Sequence, residues 1–213
     1  MSLKINEIYR SIQGESSYTG LPCVFVRLTY CNLRCTYCDT VYAFYEGRDY
    51  TMDQALEEVR RYQCPLVEIT GGEPLLQKEV FPFMDRLVGA GFTVLLETSG
   101  SVDISNVNPA VIKIMDLKCP SSGECDRNVY ANLDRLRPHD EIKFVIGSRE
   151  DYLWAKSTLE QYRLTERFKV LLSTVFHQLQ PSQAVEWLLE DNLKVRFQLQ
   201  AHKYIWEPNT KGV

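Results

Sequence analysis

The chain has 213 residues, of which 45% are hydrophobic and 24% charged, a composition that fits a folded globular domain and excludes disordered and collagen-like classes. The formal net charge is −4 and no run of lysine and arginine stands out, so non-specific nucleic-acid binding is disfavoured. The sequence shows neither a signal-peptide core nor a membrane span, so we expect a cytoplasmic protein with neither membrane nor nucleic acid as partner.

Strand-like apolar runs and helical patterns alternate along the chain. The strand candidates are residues 22–29, 65–70, 92–98, 111–118, 141–148, 168–175 and 193–200. The helix candidates are residues 51–62, most of 75–89, 149–162 and 181–191. Thr51 and Gln54 predict a capping box for the first helix, and Pro82 predicts that the second helix starts or kinks near it.

This alternation determines the expected fold class. Strands alternating with helices of about 10–15 residues indicate βαβ units on a mainly parallel sheet. A complete eightfold barrel usually needs about 250 residues, so this chain is short of one. We therefore predict an α/β fold, with one domain over residues 1–213 that forms a partial, open TIM-like barrel of about six parallel strands and fewer covering helices. Ligands in such folds collect at the carboxyl ends of the strands.

Cysteine is unevenly distributed. Three of the seven cysteines lie in CNLRCTYC, as Cys31, Cys35 and Cys38. In a reducing compartment such a group indicates metal or redox chemistry rather than disulfides. The other four are expected to be plain thiols: Cys23, Cys64, Cys119 and Cys125.

The three-cysteine loop has two chemical interpretations. Three thiolates can hold three corners of a cubane iron–sulfur cluster and leave one iron without a protein ligand. Zinc is the alternative, because a Cys-x-x-Cys pair often forms half of a zinc site. Zinc needs two further ligands, and the nearest histidine along the chain is His139. Cys119 and Cys125 could be these two ligands, but Cys31 would then be redundant. The pattern therefore favours the iron–sulfur cluster.

The combination of CNLRCTYC with TGGEP at residues 70–74 resembles the radical S-adenosylmethionine (SAM) superfamily. The resemblance implies that Cys31, Cys35 and Cys38 ligate a 4Fe–4S cluster, and that the amino and carboxylate groups of SAM chelate the open iron. It also implies reductive cleavage of SAM to a 5′-deoxyadenosyl radical that abstracts a hydrogen atom from an unactivated position.

Further segments narrow the resemblance. EIYRSIQGES, CDT, LETSGS, DLKCPSSG, EIKFVI and LQAHKYIW resemble the 7-carboxy-7-deazaguanine synthase family of queuosine and deazapurine biosynthesis, over nearly the whole chain. The resemblance implies radical ring contraction of 6-carboxy-5,6,7,8-tetrahydropterin to 7-carboxy-7-deazaguanine and ammonia, with SAM regenerated and Mg²⁺ as a further cofactor.

The same resemblance assigns expected roles to individual residues. Thr40 matches a magnesium ligand, and an oxygen donor suits that hard cation. The expected SAM contacts are Tyr37, Cys38, Asp39, Gly72, Glu73, Ser99, Lys118 and Lys143. The expected substrate contacts are Ile12, Gln13, Gly14, Glu15, Arg27, Thr70 and His202.

Some of these substrate assignments also have support from residue chemistry. Arg27 is a lone guanidinium in an apolar strand, and that group suits bidentate capture of a carboxylate. Gln13 and Glu15 offer the donors and acceptors that complement a pterin edge. His202 reads equally well as a ligand-facing residue or as a satisfied polar residue near the C-terminus.

Two other functions remain open on sequence grounds. A glycyl-radical-enzyme activase shares the cysteine spacing but usually carries a glycine-proline-glycine stretch before the loop, where IQGES stands here. A non-enzymatic zinc-binding interaction module is the second. For the ring-contraction function we expect a flavodoxin- or ferredoxin-type electron donor and a homodimer.

Overall fold

The computed structural model describes residues 2–208 and 210–213. Its strands are β1 (Ser2–Ile12), β2 (Pro22–Leu28), β3 (Arg48–Thr51), β4 (Leu66–Gly71), β5 (Thr93–Thr98), β6 (Ile112–Asp116), β7 (Glu141–Ile146), β8 (Lys169–Thr174) and β9 (Arg196–Phe197). Its helices are α1 (Met52–Arg61), α2 (Val80–Gly89), α3 (Arg149–Tyr162), α4 (Leu164–Arg167), α5 (Pro181–Glu190) and α6 (His202–Ile205). Short 3₁₀ turns lie in the connections.

The strands of this described part form one sheet in the order β3-β1-β2-β4-β5-β6-β7-β8-β9. Strands β2 and β4 to β9 are parallel, and the first and last strands of the sheet are not paired with each other. Helices α1, α2, α3 and α5 pack against the sheet. The predicted α/β fold and open partial barrel are therefore confirmed.

Local sequence signals explain most helix boundaries. The Thr51 side chain accepts the backbone N–H of Gln54, whose own side chain accepts the N–H of Thr51, so the predicted capping box is present. Helix α2 starts at Val80, which places Pro82 in its first turn, where a missing N–H costs no helical bond. Helix α3 covers the predicted residues 149–162.

The prediction was incomplete at both ends of the sheet. The predicted strands do not include the antiparallel β1 and β3. In β1 the buried Leu3 and Ile5 alternate with polar residues, which is the pattern of a strand with one buried face. The last predicted strand, residues 193–200, is wrong in extent: only Arg196–Phe197 pair with β8. An edge strand has one neighbour, so few backbone bonds hold its ends in register.

The N-terminal hairpin determines where the site lies. Strand β1 runs antiparallel to β2, so the connection at residues 13–21 lies at the amino end of the parallel strands. The cysteine loop follows β2 at the opposite, carboxyl end. The hairpin connection and the cysteine loop thus lie at opposite ends of the barrel interior.

Of the helices in the described residues, none is long and apolar enough to span a bilayer.

Candidate active site

A cavity of about 1020 Å³ occupies the barrel interior and its carboxyl end. This volume is at the upper end of the range of about 300–1,000 Å³ that is typical of small-molecule sites. Most of the residues singled out from the sequence line it. These are Ile12, Gln13, Gly14, Glu15, Arg27, Cys31, Cys35, Tyr37, Cys38, Asp39, Thr40, Thr70, Gly72, Ser99, Lys118, Lys143 and His202.

The cysteine loop is braced by a second loop, residues 119–125, that follows β6. The backbone N–H and hydroxyl of Thr36 donate to the carbonyls of Ser122 and Ser121, at 3.0 and 2.7 Å. The Arg34 N–H donates to Glu124 Oε1 at 2.5 Å. Because two of these bonds are donated by backbone N–H groups of the cysteine loop, they fix its path independently of any bound group.

The two-glycine turn after β4 packs directly under the cysteine loop. The Glu73 N–H donates to the Tyr30 carbonyl at 2.8 Å, immediately before Cys31. A Cβ added to Gly72 would lie 2.6 Å from Cys31 Cβ, and Gly71 has a φ of +148°. Only glycine suits this close approach. The spacing of the two motifs therefore reflects a real contact between adjacent parallel strands.

The three thiols fit a cluster better than a single metal ion. Within residues 2–208 and 210–213, no three His, Cys, Asp or Glu side chains gather closely enough to hold one ion. A zinc ion holds its thiolates at about 2.3 Å from one centre. A cubane cluster instead gives each thiolate its own iron. Cys31, Cys35 and Cys38 are free, partly exposed and line the same cavity, as that larger group requires.

Burial keeps these thiols protonated in the cluster-free chain. It raises the pKa of Cys31 and Cys38, and it raises that of Cys35 to about 11 despite the nearby Lys118. Ligation requires thiolates, so cluster binding must release protons.

The loop after β1 forms the floor of the cavity. Glu15 Oε2 accepts a hydrogen bond from Lys143 Nζ of β7 at 2.9 Å, and Glu15 Oε1 accepts one from Gln200 Nε2 at 3.0 Å. The Ser17 N–H donates to Glu141 Oε2 at 3.0 Å. These hydrogen bonds attach the loop after β1 to β7, on the opposite side of the barrel.

The Gln13 amide has a fixed orientation in this floor. Its Oε1 accepts the backbone N–H of Glu15, and its Nε2 donates to Glu68 Oε2. Because a backbone N–H can only donate, the amide oxygen must face Glu15 and the amide nitrogen must face Glu68.

The floor holds more carboxylates than cations. Lys143 pairs with Glu15 and Glu97, and Glu68 lies close by. Burial raises the pKa of Glu97 to about 8 and that of Glu68 to about 7. Burial would also raise the pKa of Glu15, but Lys143 and His202 lower it to about 2. The floor therefore keeps a proton on one carboxyl group near neutral pH and offers both a donor and acceptors.

Polar side chains also line the wall beneath the cysteine loop. Arg27 Nε donates to Glu7 Oε1 at 2.8 Å, and its Nη2 donates to the Tyr9 hydroxyl at 3.0 Å. Arg27 is paired in register with Thr70 on β4, so two of the predicted substrate contacts are neighbours. The guanidinium is thus both ion-paired with Glu7 and part of the cavity lining.

Asp39 and Thr40 follow the last cysteine of the loop. The Thr40 hydroxyl donates to Asp39 Oδ1 at 2.8 Å, and Asp39 Oδ2 lies 2.6 Å from Lys203 Nζ. Burial would raise the pKa of Asp39, but Lys203 lowers it to about 2. The structure thus places an ionised carboxylate beside the predicted magnesium ligand.

The C-terminal segment closes the open side of the barrel. The Ala201 N–H donates to the Gly14 carbonyl at 2.9 Å, which brings His202 against the floor loop. The tail lines the cavity through Pro208 and residues 210–213. Lys211 Nζ lies 4.1 Å from the centroid of the Tyr42 ring.

Glu73 differs from the other predicted site residues. It is fully buried and does not line the cavity. Its carboxylate accepts hydrogen bonds from Thr98 Oγ1 at 3.0 Å, Ser99 Oγ at 2.6 Å and the Ser99 N–H at 2.8 Å. Its side chain therefore faces the end of β5.

Three carboxylates that line the cavity were not identified from the sequence: Glu68, Glu97 and Asp116. Each stands in an apolar strand, the same signal that identified Arg27. That signal would have found all three.

Comparison with known proteins agrees with this geometry. The model of the Radical SAM superfamily matches residues 26–118. A 7-carboxy-7-deazaguanine synthase from Koribacter versatilis is 50% identical over 226 residues, covering 99% of this chain and 100% of the relative. One from Chlorobaculum tepidum is 45% identical over 214 residues, covering 99% and 97%.

Solved structures support the fold. The crystal structure of QueE from Escherichia coli matches with a TM-score of 0.78 at 24% identity, covering 95% of each chain. The full-length identity to the curated relatives, together with the three-cysteine loop and glycine turn described above, establishes that the chain belongs to the 7-carboxy-7-deazaguanine synthase family of the radical SAM superfamily.

Proposed function

We propose that this protein is a radical SAM enzyme of deazapurine biosynthesis that converts 6-carboxy-5,6,7,8-tetrahydropterin to 7-carboxy-7-deazaguanine and ammonia. One observation carries the proposal: a three-thiol loop and a polar floor of amide, carboxyl and ammonium groups line the same cavity. The loop suits the cofactor, and the floor suits a flat heterocycle rich in donors and acceptors.

The cofactor would be held at the carboxyl end of the barrel. Cys31, Cys35 and Cys38 would ligate the 4Fe–4S cluster. When bound, the cluster and SAM supply the one-electron chemistry that removes a hydrogen atom from the substrate. The proposed SAM contacts that line the cavity are Tyr37, Cys38, Asp39, Gly72, Ser99, Lys118 and Lys143, and Glu73 would contribute through its backbone.

The substrate would lie between this end and the floor. Gln13, Glu15 and the protonated carboxyl of the floor would recognise the edge of the pterin, while Ile12, Gly14, Thr70 and His202 complete its walls. Arg27 would bind the substrate carboxylate, because a guanidinium matches the geometry of that group. Thr40 would bind Mg²⁺, with Asp39 beside it to favour a cation.

Partners and location extend the same proposal. A flavodoxin- or ferredoxin-type donor would reach the cluster from the outer face of the cysteine loop, where Tyr45 is 74% exposed and Arg34 lies 4.3 Å from the Phe44 ring centroid. We expect a homodimer in the cytoplasm.

The test is anaerobic turnover of reconstituted protein with SAM, a reductant, Mg²⁺ and the carboxylated pterin. The expected result is formation of 7-carboxy-7-deazaguanine without net consumption of SAM. A protein with an intact cluster that cleaves SAM but forms no deazaguanine would refute the substrate assignment.

The competing functions predict other results. A glycyl-radical activase would generate a backbone radical on a partner protein and leave the pterin unchanged. A zinc module would bind one zinc and no iron or sulfide after anaerobic reconstitution. The polar floor opposite the cysteine loop suits a small heterocyclic substrate and therefore favours the proposed function.

A further inference from the structure

A chain of hydrogen bonds connects the buried Glu73 carboxylate with the cysteine loop. Ser99 Oγ lies 2.6 Å from Glu73 Oε2, and Ser101 Oγ lies 2.8 Å from Ser99 Oγ. Asn32 Nδ2 lies 3.0 Å from Ser101 Oγ. Asn32 is the residue after Cys31. Three loops, after β2, β4 and β5, are thus joined through side chains alone.

The direction of this chain is set by its buried end. Both oxygens of Glu73 act as acceptors, so the Ser99 hydroxyl donates its one hydrogen to Glu73. Ser99 Oγ then accepts from Ser101 Oγ at 2.8 Å. The single hydroxyl hydrogen of Ser101 serves this bond rather than the longer contact with Asn32 Oδ1 at 3.3 Å, so Ser101 Oγ accepts from Asn32 Nδ2. Every hydroxyl therefore donates toward Glu73, an arrangement in which successive bonds strengthen one another.

We propose that Glu73, Ser99, Ser101 and Asn32 form a positioning relay that holds Cys31 in its cluster-ligating geometry. Asn32 and Ser101 do not line the cavity, so they act through the loop rather than by touching a ligand. The relay holds the Cys31 side of the loop, while the brace of Thr36 and Glu124 holds the Cys35 side. The side chain of Glu73, the acidic residue of the glycine motif, then fixes the position of the cysteine loop.

This proposal rests on the cluster assignment of the proposed function but not on its substrate. Failure of the pterin assay would leave it standing, whereas a wild-type protein that assembles no cluster would defeat the proposed function.

The experiment compares Ser101→Ala with the wild type after anaerobic cluster reconstitution. The readouts are the rate at which an iron chelator bleaches the visible absorption of the cluster and the EPR signal of the reduced cluster. We expect cluster loss to accelerate by roughly three- to tenfold, the effect of one lost hydrogen bond, with a changed EPR signal. Ser101→Thr keeps the hydroxyl and should restore both readouts.

Ser105→Ala is the matched control, since its hydroxyl bonds to Asp103 on the same connection, outside the relay. Asn32→Ala breaks the outer end of the relay and serves as a second variant if Ser101→Ala folds poorly. Wild-type cluster loss and EPR signal in both relay variants, or an equal acceleration in Ser105→Ala, would overturn the proposal.

Discussion

Lys143 Nζ lies 2.9 Å from Glu15 Oε2, and this ion pair joins the loop after β1 to β7 across the barrel. Lys143 also pairs with Glu97 and lies 3.8 Å from Asp116 Oδ2. Burial lowers the pKa of Lys143, but these carboxylates outweigh it and hold the pKa well above its ordinary value. One ammonium group on β7 thereby contacts carboxyl groups of the loop after β1, of β5 and of β6.

Lys143→Met should destabilise the cluster-free protein strongly. Removing one partner of a buried ion pair leaves uncompensated charge and costs about 3–5 kcal/mol. Urea denaturation monitored by circular dichroism measures the loss. Lys156→Met is the matched control, because its partner Asp191 and Lys156 itself are more exposed and such a pair contributes about 0–1 kcal/mol. Equal losses in the two variants would contradict the proposed importance of Lys143.

Glu97→Gln should change how stability depends on pH. The folded-state pKa of Glu97 is about 8, above its ordinary value of 4.5, so the folded protein binds the extra proton. Its contribution is therefore complete below pH 4.5 and is lost as the pH rises through about 8. Glutamine mimics the neutral acid at every pH. The difference in melting temperature, variant minus wild type, should grow between pH 5 and pH 8.

Thermal denaturation of the cluster-free proteins at a series of pH values measures this difference. Each unit of pKa displacement corresponds to about 1.4 kcal/mol, and 1 kcal/mol moves the melting temperature by about 2–4 °C in a chain of this size. A difference that is flat over this range would show that the proton resides elsewhere in the floor.

The carboxyl end of the barrel was far more predictable from sequence than its floor. The loops after β2, β4 and β5 contain motifs of fixed spacing, and the topology of parallel strands brings them to one edge. The contact of Glu15 with Lys143 spans 128 residues and depends on the turn of a hairpin that was not predicted. No local pattern encodes such a pairing, so only the resemblance to a family placed Gln13 and Glu15 in the site.

Arg27→Ala should separate substrate binding from cluster binding. The cluster ligands remain, so iron and sulfide content should match the wild type. Loss of charge-assisted hydrogen bonds to a carboxylate, worth about 1.5–3 kcal/mol, should weaken binding of 6-carboxypterin by roughly ten- to hundredfold. Isothermal titration of the reconstituted protein measures the affinity. Arg61→Ala removes an arginine that is 71% exposed and should leave it unchanged. Unaltered affinity in Arg27→Ala would remove Arg27 from the substrate contacts.

Cys35→Ala should lose both the cluster and SAM cleavage, because the two remaining thiolates cannot hold a cluster that needs three protein ligands. Iron and sulfide analysis after anaerobic reconstitution, with release of 5′-deoxyadenosine as the second readout, measures the effect. Cys64→Ala is the control, since Cys64 is a buried thiol outside the loop and its change should leave cluster content intact. Full cluster occupancy in Cys35→Ala would mean that another residue supplies the ligand.

Gly14→Ala should detach the C-terminal segment from the floor. A Cβ at this position would lie 3.0 Å from His202 Cγ and 3.1 Å from His202 Cβ, so the histidine must move away. That movement strains the bond from the Ala201 N–H to the Gly14 carbonyl. Such overpacking costs about 1–3 kcal/mol, and thermal denaturation together with limited proteolysis of the C-terminal segment should reveal it.

A second substitution tests the cause of this loss. In Gly14→Ala/His202→Ala the clashing ring is absent, so the double variant should be more stable than the sum of the two single changes predicts. Gly89→Ala is the control, because a Cβ there has no neighbouring atom within 4 Å and alanine favours the helix. Additive losses in the double variant would mean that the contact with His202 is not the cause of the loss in Gly14→Ala.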